Sequence, residues 1–213
     1  MSDEPLLPAA GVAVPGAEPL RASLDAQVAE RTAKWLSAAT DAASPDTQLF
    51  ARLIDARDVR NELALLGLPQ PAWRALLERH FVHAAVLAPA PLSGLPPVDT
   101  SEHAAFVETL HALLLRYSST AVDVNDAHCL ASIVAHACLR PDHLWRDLGL
   151  AGRDEVTWML TRYFPTLVLL NVDNLRWKKF LAQQRALSLG LQPGPAPGCP
   201  GCEDYGYCFP GPH

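Results

Sequence analysis

Apolar positions spaced three and four residues apart recur along most of this chain. Over Thr100–Tyr117 they fall at Phe106, Val107, Leu110, Leu113, Leu114 and Tyr117, one stripe of an amphipathic helix. Asp123–Leu139 repeats the spacing with Leu130, Ile133, Val134, Ala137 and Cys138, and Pro141 ends it. Ser44-Pro45 reads as a cap followed by proline at the first helical position, leading into Leu49, Phe50, Leu53 and Ile54. Pro71–Phe81 carries Trp73, Leu76 and Leu77, and an earlier helix is expected from a cap near Ser23, with Leu24, Val28 and Trp35 on one face. His143–Leu148 reads as one or two turns closing at Gly149, and Arg153–Phe164 and Asp173–Leu189 as the last helices. No period-two alternation bounded by hairpin turns occurs, so the expected fold is all-α, a multi-helix bundle-like domain.

Three stretches break the pattern. Residues 1–19 hold Pro5, Pro8, Pro15 and Pro19 and read as a flexible arm. Residues 84–99 hold Pro89, Pro91, Pro96 and Pro97 and read as a connector. Residues 191–213 read as an irregular cysteine-containing tail, which leaves 20–190 as the helical domain. The chain has 213 residues and is 49% hydrophobic, enough to bury one sizeable core. A net charge of −6 argues against a nucleic-acid surface. No apolar run of about 18 residues suggests a membrane span. The acidic opening Met1-Ser2-Asp3-Glu4 is unlike a secretory signal, so a cytoplasmic protein is expected. Five cysteines, an odd number, point to ligands rather than disulfides in a reducing compartment.

The tail holds the densest chemistry: Cys199, Cys202 and Cys208, spaced C-x2-C-x5-C among Pro195, Pro197, Pro200, Gly198, Gly201 and Gly206. Such neighbours do not build a regular helix or central strand and offer almost no core-forming residues, so something other than a hydrophobic core is expected to order them, a metal or cluster rather than packing. Soft thiolates suit zinc or an iron–sulfur cluster, and on spacing alone both stay open beside a metal-free tail.

Several strings resemble the NifQ family of bacterial nitrogen-fixation proteins. They are His143-Leu144-Trp145-Arg146-Asp147-Leu148-Gly149-Leu150, Arg162-Tyr163-Phe164-Pro165, Asn171, Arg176-Trp177-Lys178-Lys179-Phe180 and the terminal cysteines. More loosely, Leu66-Gly67-Leu68 and Trp73–Phe81 also fit, so the resemblance covers about residues 45–210. It implies a carrier rather than a catalyst with turnover. The implied cargo is an iron–sulfur cluster, of 3Fe-4S or 4Fe-4S type, that incorporates molybdenum from molybdate or a molybdenum donor. The implied recipients are the proteins that assemble the iron–molybdenum cofactor of nitrogenase. The family's motif is C-x4-C-x2-C-x5-C, and its first cysteine is replaced by Gly194 in this chain. Three thiolates still suffice for three irons, or for a cubane whose fourth corner is another metal. The resemblance also raises His143 as a metal-contacting residue.

Other candidates have plainer readings. Cys138 lies in an apolar stripe and reads as a buried thiol, with Cys129 nine residues before it on the same helix. His128, Ser132 and His136 form a polar line beside that stripe, a solvated or internally satisfied face. Asp204 is a hard donor poorly matched to a thiolate-bound cluster, and His213 could fold back as a fourth ligand or fray. Arg176, Lys178 and Lys179 surround Trp177 and Phe180, either as a solvated face or as attraction for an oxyanion such as molybdate. No catalytic triad, paired-carboxylate site or P-loop stands out.

Overall fold

The computed structural model describes residues 29–82 and 101–210. Among the described residues every regular element is helical and no strand forms. Residues 29–37 are helical (α1). Helix α2 (Pro45–Asp58) is capped by the Ser44 hydroxyl, which accepts from the Thr47 N–H. A 3-10 turn (Leu63–Leu66) leads to α3 (Gln70–His80), and a second (Ser101–His103) leads to α4 (Ala104–Arg116). Helix α5 (Val124–Ala137) is capped by Asp123, whose carboxylate accepts from the Asn125 and Asp126 N–H groups. The remaining helices are α6 (Leu144–Asp147), α7 (Arg153–Tyr163), α8 (Pro165–Val168), α9 (Trp177–Ser188) and the single turn α10 (Tyr205–Cys208).

Helix α5 is the axis of the core. Leu130, Ala131, Ile133, Val134, Ala135, Ala137 and Cys138 are all buried. Its alanines keep it slim enough for α3, α4 and the Leu63–Leu66 turn to close around it. Helix α4 in turn packs on α9. Phe50, Ile54, Leu76, Leu110, Leu114, Phe164 and Phe180 complete the cluster, each removing roughly 1.5–3 kcal/mol worth of apolar surface from water. The buried chain Thr47–His80–Asp126 links α2, α3 and α5, with the His80 ring 3.0 Å from the Thr47 hydroxyl and 2.9 Å from the Asp126 carboxylate. This is a hydroxyl–imidazole–carboxylate order, but all three residues are buried and Arg79 pairs with Asp126 as well, so it serves as a strut.

The expected helices at 71–81, 123–139 and 153–164 stand within one or two residues of their predicted ends, and the helix expected to open at Ser44-Pro45 does so. Two starts differ. Helix α4 begins at Ala104 because Ser101–His103 forms the 3-10 turn. Helix α9 begins at Trp177 rather than Asp173. Asn174 takes a left-handed φ of 51°, and the Asn171 side chain both accepts from the Leu175 N–H and donates to the Leu175 carbonyl. Those bonds close a loop and postpone the helix. Ser23, Leu24, Val28, the 1–19 arm, the 84–99 connector and His213 lie outside the described residues.

Candidate functional site

The site is built where the chain leaves α5. Cys138 caps that helix, and Arg140-Pro141 turns the chain toward α6. Beneath the turn, Asp147 joins two guanidinium groups: Arg57 Nη2 lies 2.6 Å from Oδ1 and Arg140 Nε donates to the same oxygen at 2.7 Å. Arg140 also donates to the Leu65 carbonyl, and Arg57 pairs with Glu62 at 2.8 Å. Burial alone would push the Asp147 carboxyl up. Hydrogen bonds from Arg140 and the nearby charges of Arg57 and Lys178 outweigh it and hold the group below the usual carboxylate range.

The cysteine arm is laid against this turn. Gly198 donates its N–H to the Cys138 carbonyl at 3.0 Å, and Lys178 Nζ donates to the Arg140 carbonyl at 2.8 Å. A Cβ at position 198 would stand 2.0 Å from the Arg140 oxygen, and one at 201 would stand 2.5 Å from Pro141 Cβ. Glycine is what permits this approach. Ala196 is 0% exposed and Cys199 7%, and both belong to the main hydrophobic core. The expectation that something other than a hydrophobic core must order the arm is therefore corrected. The arm shares the core of the helical body, and its Pro/Gly composition still allows a 3-10 turn at Cys199–Gly201 and one helical turn at Tyr205–Cys208.

Cys199, Cys202 and Cys208 line one cleft with His143, Arg176, Lys178 and Lys179. The cleft holds a small cavity of about 50 Å³ and opens to solvent. Burial pushes the Cys199 thiol up against the opposing pull of Lys178, and pushes Cys208 up against Lys179 and Arg176. A metal taking these two sulfurs must displace their protons. Among the described residues no three His, Cys, Asp or Glu side chains converge at single-ion distances.

His143 faces the arm rather than standing free. Its Nε2 is 3.1 Å from Glu203 Oε1 and 3.6 Å from Asp204 Oδ2, and its ring stacks on Trp145. Asp204 also forms an ion pair with Arg176 at 2.8 Å. Lys179 donates to the Cys208 carbonyl and lies over the Phe209 ring. Trp177 and Phe180 are buried, as an amphipathic helix requires, but Lys178 is buried too, which that pattern did not predict. Its long stem crosses apolar surface to reach the Arg140 carbonyl.

The other candidates lie elsewhere. Cys138 is fully buried, with its thiol pushed up to about 12 by burial, and does not line the cleft. Cys129 borders a separate cavity with His111 and His128, whose rings are 5.4 Å apart. His136 bonds the Ser132 carbonyl through Nδ1 at 2.8 Å, and the Ser132 hydroxyl donates to the Gly67 carbonyl, so both support the turn after Leu63–Leu66. Arg57, Arg140 and Glu203 were not legible as site residues. Asp147 sits inside a quoted string, but nothing local marks Arg57, ninety residues away, as its partner.

Comparison with known proteins fits this geometry to a family. The NifQ family model matches residues 47–210, which takes in the core helices, the Arg140–Asp147 turn and all three tail cysteines. The chain belongs to the NifQ family. It is 37% identical over 147 residues to a NifQ homologue of Sinorhizobium fredii, covering 67% of this chain and 60% of that protein. It is 35% identical over 151 residues to NifQ of Azotobacter vinelandii, covering 68% of this chain and 76% of that one. NifQ of Klebsiella pneumoniae is 43% identical over 89 residues, covering 40% and 52%. The matched part thus spans about half to three quarters of these relatives. No solved structure matches. At Gly194, where the resemblance led to the expectation of a cysteine, an added Cβ would meet nothing within 4 Å. A cysteine would fit there without disturbing the arm. Among the described residues no helix is long and apolar enough to cross a membrane.

Proposed function

We propose that this chain is a carrier without turnover, which holds an iron–sulfur cluster with molybdenum and hands it to the machinery that builds the nitrogenase iron–molybdenum cofactor. The observation that carries this reading is the convergence of Cys199, Cys202 and Cys208 on one cleft walled by Arg176, Lys178 and Lys179, in a member of the NifQ family. Thiolates are the protein ligands of iron–sulfur clusters, and three of them serve three irons. A fourth corner then remains for a metal with no cysteine of its own, in keeping with Gly194. The cargo and its thiolates are anionic. Cations at the cleft offset that charge and draw in an oxyanion such as molybdate. Lys178 faces Cys199, and Arg176 and Lys179 face Cys208. His143 is within reach of the incoming metal at the same rim. The source is molybdate or a molybdenum donor, the recipients are the nitrogenase cofactor-assembly proteins, and the expected compartment is the cytoplasm.

The test is iron, sulfide and molybdenum analysis of chain purified without oxygen, followed by reconstitution with iron, sulfide and molybdate. The expected product is brown and retains molybdenum. Cys199→Ser, Cys202→Ser and Cys208→Ser each lose iron while keeping their helix content. Iron unchanged in all three variants, or a colourless protein holding zinc, would overturn the proposal.

A further inference from the structure

The three cysteines sit on two differently held halves of the arm. Residues 196–201 are fixed by packing. Ala196 and Cys199 are in the core, and Gly198 and Gly201 press on Arg140 and Pro141 so closely that neither has room for a Cβ. Past Gly201 the fastening changes. Cys202 is extended (φ −82°, ψ 139°), and Gly206, within the next turn, has no atom within 4 Å of an added Cβ. This outer half is internally braced, with Tyr205 N–H donating to the Cys202 carbonyl and Cys208 N–H to Asp204. Its hold on the body is the half-buried Tyr205–Phe209 pair, Lys179 donating to the Cys208 carbonyl and lying over Phe209, Arg176 lying over Tyr207, and a set of ion pairs at the rim. Glu203 reaches His143 at 3.1 Å and Arg146 at 3.2 Å, and Asp204 reaches Arg176 at 2.8 Å. The Glu203 side chain is 60% exposed, so its pairs are of the weak, salt-screened kind, while Asp204, 29% exposed, is partly sheltered beside the half-exposed Arg176.

We infer that residues 202–209 are a flap hinged after Gly201, latched by Glu203 and Asp204, and that Cys202 and Cys208 move with it while Cys199 stays on the body. Resting on the carrier reading, this assigns Glu203 and Asp204 as positioning residues for release. A cluster held between the two halves loses two of its three thiolates when the flap lifts, and an acceptor's ligands can enter there. The two carboxylates are not ligands. They act through His143, Arg146 and Arg176, which stand on the body side.

The flap is tested in the full-length chain stripped of metal by a chelator, so that the outcome does not depend on which metal is carried. Alkylation rates of the three cysteines are read by mass spectrometry at low salt and at about 1 M salt, where the screening length is about 3 Å. In the wild type, Cys202 and Cys208 are expected to label about threefold to tenfold faster at high salt, with Cys199 unchanged. The double variant Glu203→Gln/Asp204→Asn should label fast at both salt concentrations. Glu203→Asp, which keeps the charge, should regain part of the salt dependence, a response that loss of packing alone would not produce. Equal acceleration of Cys199 would show that the whole arm undocks as one unit, and salt-independent labelling in the wild type would show that no ionic latch exists. Either result overturns the flap. Iron release from reconstituted protein to a coloured chelator is the second readout, expected to be faster in the double variant. Protein that takes up no iron but shows the salt-dependent labelling would leave the flap standing and remove the carrier reading instead.

Discussion

Two ion-pair systems flank the cysteine cleft and differ in almost every respect. On the inner side, Asp147 lies between Arg57 and Arg140, buried, with every partner also bonded elsewhere. On the outer side, Glu203 and Asp204 meet His143, Arg146 and Arg176 at the solvent boundary. The chemistry of the pairs is nearly the same, carboxylate on guanidinium or imidazole. What differs is the medium. In the interior a lost partner leaves a charge that water does not reach, whereas at the rim water replaces the partner. The inner system therefore fixes the floor on which Gly198 and Lys178 seat the arm, and the outer one can open and close at little cost.

Asp147→Ala is expected to do the most damage, about 3–5 kcal/mol of unfolding free energy by urea denaturation, because it removes the buried carboxylate that Arg57 and Arg140 share and leaves Glu62 as the remaining carboxylate paired with Arg57. A loss below about 1 kcal/mol would erase the distinction between the two systems. The pH dependence sharpens the same point. The folded Asp147 carboxyl titrates below its unfolded value, so its contribution is fully present above the unfolded pKa, near 4, and is lost as pH falls through the lower folded value. Asp46 adds in the same sense, since Arg162 and Tyr163 outweigh the effect of its burial, while Asp55, pushed up by burial, works oppositely. The stability gap between wild type and Asp147→Asn should accordingly be widest near neutral pH and narrow below about pH 4. A gap that stayed constant down to pH 2.5 would mean that Asp147 is not held low by its two arginines.

Gly198→Ala comes next. Its methyl would stand 2.0 Å from the Arg140 oxygen, which is backbone and cannot swing aside. The arm must lift there, at a cost of about 1–3 kcal/mol. Cys199 should become open to alkylation and iron retention should fall. By contrast Gly194→Cys, in open space, should leave the arm seated, so its iron and molybdenum content reports directly on whether a fourth thiolate helps. Protected Cys199 in Gly198→Ala would mean that the inner half is not fastened at this contact.

How much of this the chain disclosed beforehand follows from range. The stripes of α4 and α5 are local and periodic, so Leu110, Leu114, Leu130 and Val134 announced themselves. The spacing of the cysteines singled out the tail, and the structure brings all three to one cleft. The start of α9 was hidden by one backbone choice at Asn174. Lys178 read as either a solvated or an oxyanion-attracting cation because periodicity sorts residues by side of a helix. It cannot foresee a carbonyl at Arg140, 38 residues earlier, within reach of the ammonium. The Arg57–Asp147 pair and the Glu203 contacts are of the same kind, matches between distant segments that leave no mark on either one.

The smallest effect expected is that of Glu203→Gln on global stability. The carboxylate is mostly in water, and both His143 and Arg146 remain solvated or otherwise paired when it is gone, Arg146 through Asp142 at 2.8 Å. The change in unfolding free energy should stay within about 0–1 kcal/mol and shrink further with added salt. A loss near that of Asp147→Ala would place Glu203 in the fixed floor rather than on a movable rim, and the contrast between the two systems would fail. If stability holds while labelling of Cys202 and Cys208 rises, the carboxylate controls the position of two thiols without contributing to the fold. A cleft that must keep its cargo and later surrender it requires that separation.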